Sequence, residues 1–393
     1  MRGPSTSPLI VMYAQNGAGL GHFRRCANIA NALAERGGDE RVVIASRSLA
    51  SAAAFALPAS CDVLKLPAFV PIGDDANGER RALVDREDPR FARLRGRLLL
   101  TLLAEGRPRA VLVDNEPRGL QGELVAALRE ARAGGLVERV LCGIRDIRGR
   151  PGYVREKWRR DGSAETLRAL YDGVLVYGDP ALFDTAAAYG LGSEIAVDVR
   201  PTGYLFRGRP ERDAEAVRRD LDVPPGAALV AVTGGSGADG RPLFDAYLAH
   251  AAPRLGPDVI SILVAGPLMP AADVAALAAH ARDSCRLVRA YDVASLVHAA
   301  DAVVCRGGYN SLCEAVHAGH VPAVVPRMTR SGEQETRAEV FAAHGLAAFV
   351  PPGRVTGGAL AASVVAQLER PRSRPSPFDP AASAARAVAA LVG

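Results

Sequence analysis

Short apolar runs alternate with amphipathic stretches along almost the whole chain. "LIVMYAQ", "RVVIAS", "RAVLVD", "RVLCGI" and "GVLVYG" are rich in Val, Leu and Ile and read as buried strands. Between several of them lie helical patterns such as "ANIANALAERGG" and "LQGELVAALREARAGG", each closing in glycine. Strand–helix–strand alternation predicts a parallel sheet covered by helices on both faces. The pattern pauses over residues 200–228, a polar, Pro-rich and charged stretch. It then restarts with "ALVAVTGG", "VISILVAG", "CRLVRA", "DAVVCRGG" and "PAVVPR". No short repeat is visible. The chain therefore reads as α/β, with two doubly wound Rossmann-like domains facing a cleft. Residues 1–203 form the first domain and 204–393 the second, with a last helix that packs back on the first.

At 393 residues each domain can bury its own core. The apolar share of 49% and charged share of 23% are those of a soluble globular protein. A formal charge of +5 invites a nucleic-acid reading, yet of 48 basic residues only Lys65 and Lys157 are lysines. That bias fits a GC-rich coding sequence, and no aromatic-rich or recognition-helix pattern accompanies it, so no nucleic-acid partner is expected. The six cysteines form no CxxC pair and no cluster with metal spacing, so no metal site is expected. The first apolar run is too short for a signal peptide and nothing later approaches a membrane span, so a cytoplasmic protein without an integral membrane segment is expected.

Ligands of doubly wound sheets bind beyond the carboxyl ends of the strands. The first such loop is "QNGAGLGHFRR". As a dinucleotide fingerprint it fails at the third glycine, because Gly17 and Gly19 fit but His22 stands in that place and Gly21 comes one position early. The second strand ends in Ser46, Arg47 and Ser48, with no carboxylate for a ribose, although Arg47 is a candidate for a 2'-phosphate. Glycines still permit close backbone approach to a ligand, and the helix starting near His22 aims free N–H groups at the same place. A histidine there tends toward a lowered pKa and a neutral, proton-accepting ring. The alternative is a histidine that merely caps or packs the helix.

In the second domain, "DAVVCRGGYNSLCEAVHAG" reads as a strand ending at Cys305 or Arg306, two glycines, and a helix from about Tyr309 to Gly319. Gly307 and Gly308 would bring a diphosphate onto the amides of Tyr309, Asn310 and Ser311. Leu312, Ala315 and Val316 form the buried stripe. Glu314, one turn beyond Asn310, suits two ribose hydroxyls; its alternative is a solvated helix charge. Gly234, Gly235 and Ser236 follow the first strand of this domain and suit the other side of the phosphate. Glu333 and Gln334 open a further helix. There Ser331 and Gln334 have capping-box spacing, and the competing reading is a pair that reads sugar hydroxyls. The D-x-D of Asp220 and Asp222 falls in the linker stretch and is assigned no role.

Together "ADAVVCRGGYNSLCEAVHAG", "PAVVPR" and "EQETRAEVFAAHG" resemble the donor-binding region of GT-B glycosyltransferases. The nearest group is the bacterial family-28-type enzymes that add N-acetylglucosamine to a lipid-linked peptidoglycan precursor. "GAGLGHFRR" is similar to that group's glycine loop ending in histidine. "LCGIRDIRGRPGYVREKW" with "YDGVLVYGDPALFD" further resembles a less characterised bacterial branch. The chain departs from the group at Leu20, between Gly19 and Gly21, and residues 61–110 carry no membrane-docking patch in the familiar place.

The resemblance implies a hexosyl- or N-acetylhexosaminyltransferase with no cofactor, because the nucleotide-sugar donor, UDP-linked and possibly UDP-GlcNAc, is a co-substrate. It places Gly19 and Gly21 near the donor and Arg306, Gly307, Gly308, Tyr309, Asn310 and Ser311 around the diphosphate. Gly235 and Ser236 lie opposite, Glu314 on the ribose, the backbone near Tyr291 on the base, and Glu333 and Gln334 on the sugar. His22 would stand across the cleft as base, with Asp114 as the reserve base or acceptor-orienting group. Transfer would proceed with inversion and without a metal to a hydroxyl or amine of a small-molecule, glycan or lipid-linked acceptor. Two rivals remain at this stage: a sugar-nucleotide 2-epimerase on the same scaffold, and a non-catalytic nucleotide-sugar-binding protein.

Overall fold

The computed structural model describes residues 7–15, 21–48, 55–69, 72–74, 80–82, 87–280, 282, 284–289, 291–370 and 376–393. The chain divides into two compact units, Met1–Leu205 with Pro380–Gly393, and Phe206–Asp379.

The apolar runs of the first unit become β1 (Leu9–Ala14), β2 (Arg41–Ser46), β3 (Cys61–Lys65), β6 (Ala110–Asp114), β7 (Arg139–Arg145), β8 (Gly173–Tyr177) and β9 (Val199–Pro201). They form one parallel sheet in the order β3-β2-β1-β6-β7-β8-β9. Every residue of β6 and β8 is buried, as strands covered on both faces require. The short pair β4 (Ile72–Asp74) and β5 (Arg80–Ala82) is antiparallel and separate. Between β1 and β6 the strand order reverses direction, and Ala14 lies in register with Asp114 there.

Alternate residues face opposite sides of the sheet. Tyr13, Val111 and Val113 meet Leu99, Leu103, Leu124 and Leu128 of the helices Pro89–Gly106 and Glu123–Ala133 on one side. A buried polar network crosses the same layer: Arg95 donates to Glu87 at 3.0 Å and to Glu123 at 3.2 Å, and Tyr13 donates to Glu123 at 2.7 Å. Arg47, weighed as a 2'-phosphate reader, is buried and donates to Glu87 at 2.9 Å. The C-terminal helix Pro380–Val392 belongs to this unit; Arg139 donates to its Ala390 carbonyl, and its Arg386 donates to the Thr202 carbonyl.

The second unit carries β10 (Ala228–Thr233), β11 (Val259–Val264), β12 (Cys285–Val288), β13 (Ala302–Cys305), β14 (Ala323–Val324) and β15 (Ala348–Phe349). All pairs are parallel, in the order β12-β11-β10-β13-β14-β15. The order reverses between β10 and β13, where Thr233 pairs with Cys305. Stretch 200–228 is less of an interruption than its composition suggests. It contains the helix Ala214–Asp220, capped by the Asp213 side chain on the Ala216 amide, with Val217 fully buried. No helix among the described residues is long and apolar enough to cross a membrane.

Candidate active site

Both switch points end in the chemistry the sequence singles out. In the first unit the helix Gly21–Glu35 follows β1, with His22 in its first turn. Gly17, Gly19 and Leu20 lie outside the described residues, and Gly21 is the first helical residue. Asp114 ends β6 and is fully buried. The two candidate bases are not alternatives in space, because His22 Nδ1 lies 2.6 Å from Asp114 Oδ1. Arg25, three residues further along the same helix face, donates from Nε to Asp114 Oδ2 at 2.9 Å and from Nη2 to Oδ1 at 2.6 Å.

Burial pushes the Asp114 carboxyl up, but the Arg25 charge and the His22 hydrogen bond outweigh it and bring it down to about 2. His22 moves below its ordinary value, mainly through burial, with Arg25 and Arg145 adding to the effect and Asp114 opposing it. Asp114 is thus an ionised partner with both oxygens occupied and no exposed surface. His22, with its side chain 19% exposed, is the member of the pair that solvent reaches.

These shifts fix the sign of the acid response. A depressed carboxylate contributes stability that is complete above its unfolded value, about 3.9, and lost as pH falls toward the folded one, roughly 2 kcal/mol here. The lowered His22 pKa means the unfolded chain takes a proton first, so stability also declines as pH drops below about 6.5. Trp158, the sole tryptophan, is buried in this unit and reports its unfolding. In urea titrations followed by its fluorescence, the stability gap between wild type and Asp114→Asn is expected to shrink between about pH 4 and pH 2. A gap that stays constant would contradict the depressed carboxyl.

In the second unit three loops converge. After β13, Gly307 takes a left-handed conformation, φ 77°, and a Cβ there would fall 2.8 Å from Val324 Cγ1. Glycine is therefore required on both backbone and packing grounds. Gly308 precedes the helix Tyr309–His317, and the space beside its Cα is open. Asn310 Oδ1 is buried at the helix start without a hydrogen-bond partner. Glu314 is 1% exposed, which overturns the solvated-charge alternative. Leu312, Ala315 and Val316 are buried as expected.

The helix Glu333–Ala343 is tied to the same turn: Arg337, fully buried, donates to the Gly307 carbonyl at 3.2 Å and to Glu333 at 3.1 Å. The capping box does not form. Gly332, with φ 66°, takes the N-cap position, Ser331 lies 3.1 Å from the Thr329 hydroxyl, and Gln334 accepts from the Arg327 amide at 2.9 Å. The loop after β10, with Gly235 exposed and Ser236 partly so, joins through Asp239, which accepts from Arg306 at its carbonyl and from Arg327 at its carboxylate.

The backbone beside Tyr291 is the part expected at the base, and its side chain has partners of its own. Its hydroxyl donates to Asp220 and accepts from Arg212, both at 2.9 Å, and burial with the Asp220 bond pushes it up to about 12. Asp220 of the D-x-D therefore has a structural partner, a role its linker-like context hid. Arg25 and Arg337 were also missed, though His22–Arg25 and Glu333–Arg337 have helical i,i+3 and i,i+4 spacing. Among the described residues no group of three or more His, Cys, Asp or Glu side chains comes together as a metal site.

Residues 284–391 match the glycosyltransferase family 28 C-terminal domain. The calicheamicin glycosyltransferase CalG4 superposes with a TM-score of 0.61 at 16% identity, over 100% of this chain and 98% of that one. The chain has the GT-B glycosyltransferase fold. MurG from Acinetobacter baumannii matches with a TM-score of 0.56 at 14% identity, over 97% and 95% of the two chains. A putative UDP-N-acetylglucosamine 2-epimerase from Listeria monocytogenes matches with 0.62 at 11% identity, over 98% and 96%. Identities this low speak for the GT-B fold alone. No curated protein matches the sequence.

Proposed function

We propose that this chain is an inverting, metal-independent glycosyltransferase that moves a sugar from a nucleotide diphosphate to an acceptor hydroxyl or amine. The donor is UDP-linked, with UDP-N-acetylglucosamine the first candidate, and the acceptor is a small molecule, glycan or lipid-linked glycan. The observation that carries this reading is the His22–Asp114 pair, a partly exposed imidazole bonded at Nδ1 to a buried carboxylate.

In the proposed reaction the acceptor proton passes to His22 Nε2 as the acceptor atom bonds to the anomeric carbon. The bond from that carbon to the diphosphate oxygen breaks, and its electron pair leaves with the nucleotide. Asp114 stabilises the imidazolium through Nδ1 and holds the ring in place. Gly307 to Ser311, with the loop of Gly235 and Ser236, would receive the departing charge on backbone amides. Glu314 holds the ribose, and Glu333 and Gln334 read the sugar.

A thermal-shift screen of nucleotide sugars is the first test, since a bound donor raises the melting temperature by mass action. Donor consumption is then followed against an acceptor panel, with release of nucleoside diphosphate expected only when an acceptor is present. The epimerase reading draws on the fold likeness to the Listeria monocytogenes protein. A new epimer, seen by NMR with the donor alone, would replace the transferase by that reading. Tight donor binding with no release for any acceptor would replace it by a nucleotide-sugar-binding protein.

A further inference from the structure

Arg25 is 2% exposed, on the inner face of the helix that carries His22. Its fork takes both oxygens of Asp114, and its guanidinium lies 5.7 Å from the centre of the Tyr177 ring. Tyr177 in turn crosses over Gly143, where a Cβ would fall 1.8 Å from the tyrosine hydroxyl. Arg25 is thus held by a carboxylate and an aromatic face at once, and the strand beneath has room for that ring only because residue 143 is glycine.

The same guanidinium places Nη2 3.0 Å from His22 Nδ1. Nδ1 therefore faces an acceptor at 2.6 Å and a donor at 3.0 Å, which call for opposite proton placements. The carboxylate contact is the shorter and is charge-assisted, so Nδ1 carries the hydrogen and Nε2 is left bare. A second proton, at Nε2, would set an imidazolium beside the guanidinium with one carboxylate to share. Arg145 of β7 adds positive charge in the same direction, and Asp114 supplies the opposing negative charge. Cys26 and Tyr177, packed in the same layer, are held neutral by burial.

We propose that Arg25 is a positioning residue for His22: it fixes Asp114 so that the imidazole carries its proton on Nδ1, and its charge keeps the ring neutral until Nε2 receives the acceptor's proton. The catalytic half of this statement rests on His22 being the base; the tautomer and the charge effect do not. The downward shift of His22 agrees with it.

The test is NMR of the full chain with 15N-labelled histidine, His22 being assigned by loss of its signals in His22→Gln. Wild type is expected to show the Nδ1–H tautomer and a titration midpoint below that of a free imidazole. Arg25→Gln should raise the midpoint by about one pH unit or more, since a like charge within bonding distance is removed. Arg25→Lys keeps the charge and should leave the midpoint low. An Nε2–H tautomer in wild type, or a midpoint that Arg25→Gln does not move, would overturn the proposal. So would a rise in Arg25→Lys equal to that in Arg25→Gln. If Arg25→Gln fails to fold, the wild-type tautomer and Arg25→Lys still decide. None of these readouts needs an acceptor, so a failed transferase assay and a failed role for Arg25 are separate results. With an acceptor in hand, the acid limb of kcat should move with the midpoint, a shift that a merely structural arginine would not cause.

Discussion

His22→Ala is expected to lower kcat by roughly 10²–10⁴-fold, the usual contribution of a positioned general base, while nucleotide-sugar affinity stays nearly unchanged. The split follows from the residues involved. His22 and its partner Asp114 belong to the first unit, whereas the loops of Gly235 and Gly307, with Glu314, Glu333 and Gln334, belong to the second. On the proposed mechanism, loss of the imidazole would leave the acceptor proton without a base and would not touch the second unit's loops. Donor affinity from calorimetry and kcat from nucleotide release separate the two effects. An unchanged kcat would remove His22 from the mechanism. A large loss of donor affinity with little change in kcat would make it a phosphate ligand instead. Asp114 cannot substitute as the base, because it is fully buried with both oxygens engaged. Asp114→Asn should therefore lower kcat through the orientation of His22, with donor affinity again preserved.

Much of this was legible in the sequence wherever the determinant is local. The buried strands declare themselves as runs of Val, Leu and Ile, and the Arg306–Ser311 turn declares itself because glycine is needed at a left-handed position. What the sequence could not disclose is pairing across the sheet. His22 and Asp114 are separated by 92 residues, and only the strand order β1-β6 brings their ends together. Arg25 shares that difficulty, since one arginine in "HFRR" looks like another until its partner is known. The capping box failed for a different reason: Gly332 adopts a left-handed conformation at the cap, and Gln334 found a better partner in the Arg327 amide. Spacing identifies which bonds are permitted, and the neighbouring loop decides which one forms.

Glu314→Gln is expected to weaken nucleoside diphosphate binding roughly ten- to a hundredfold, the loss of one charge-assisted hydrogen bond worth about 1.5–3 kcal/mol. The residue sits four positions after Asn310 on the helix Tyr309–His317, so both project from one face at successive turns. At 1% exposure the carboxylate is removed from solvent, where a hydrogen bond to it counts for more than at the surface. Glu314 Oε2 is buried in this fold; a ribose hydroxyl donating to it would be recognised there, and glutamine keeps the shape while giving up one acceptor. UDP and its 2'-deoxy analogue, titrated into both proteins by calorimetry, isolate the interaction. Wild type should prefer the ribonucleotide, and Glu314→Gln should lose most of that preference while its melting temperature without ligand confirms an intact fold. Equal affinity of wild type for the two nucleotides would take Glu314 off the 2'-hydroxyl. A preference that survives the substitution would assign ribose recognition to another group in the loops around Gly307. Because the readout is a difference between two ligands on one protein, a general loss of stability in the variant cannot imitate it.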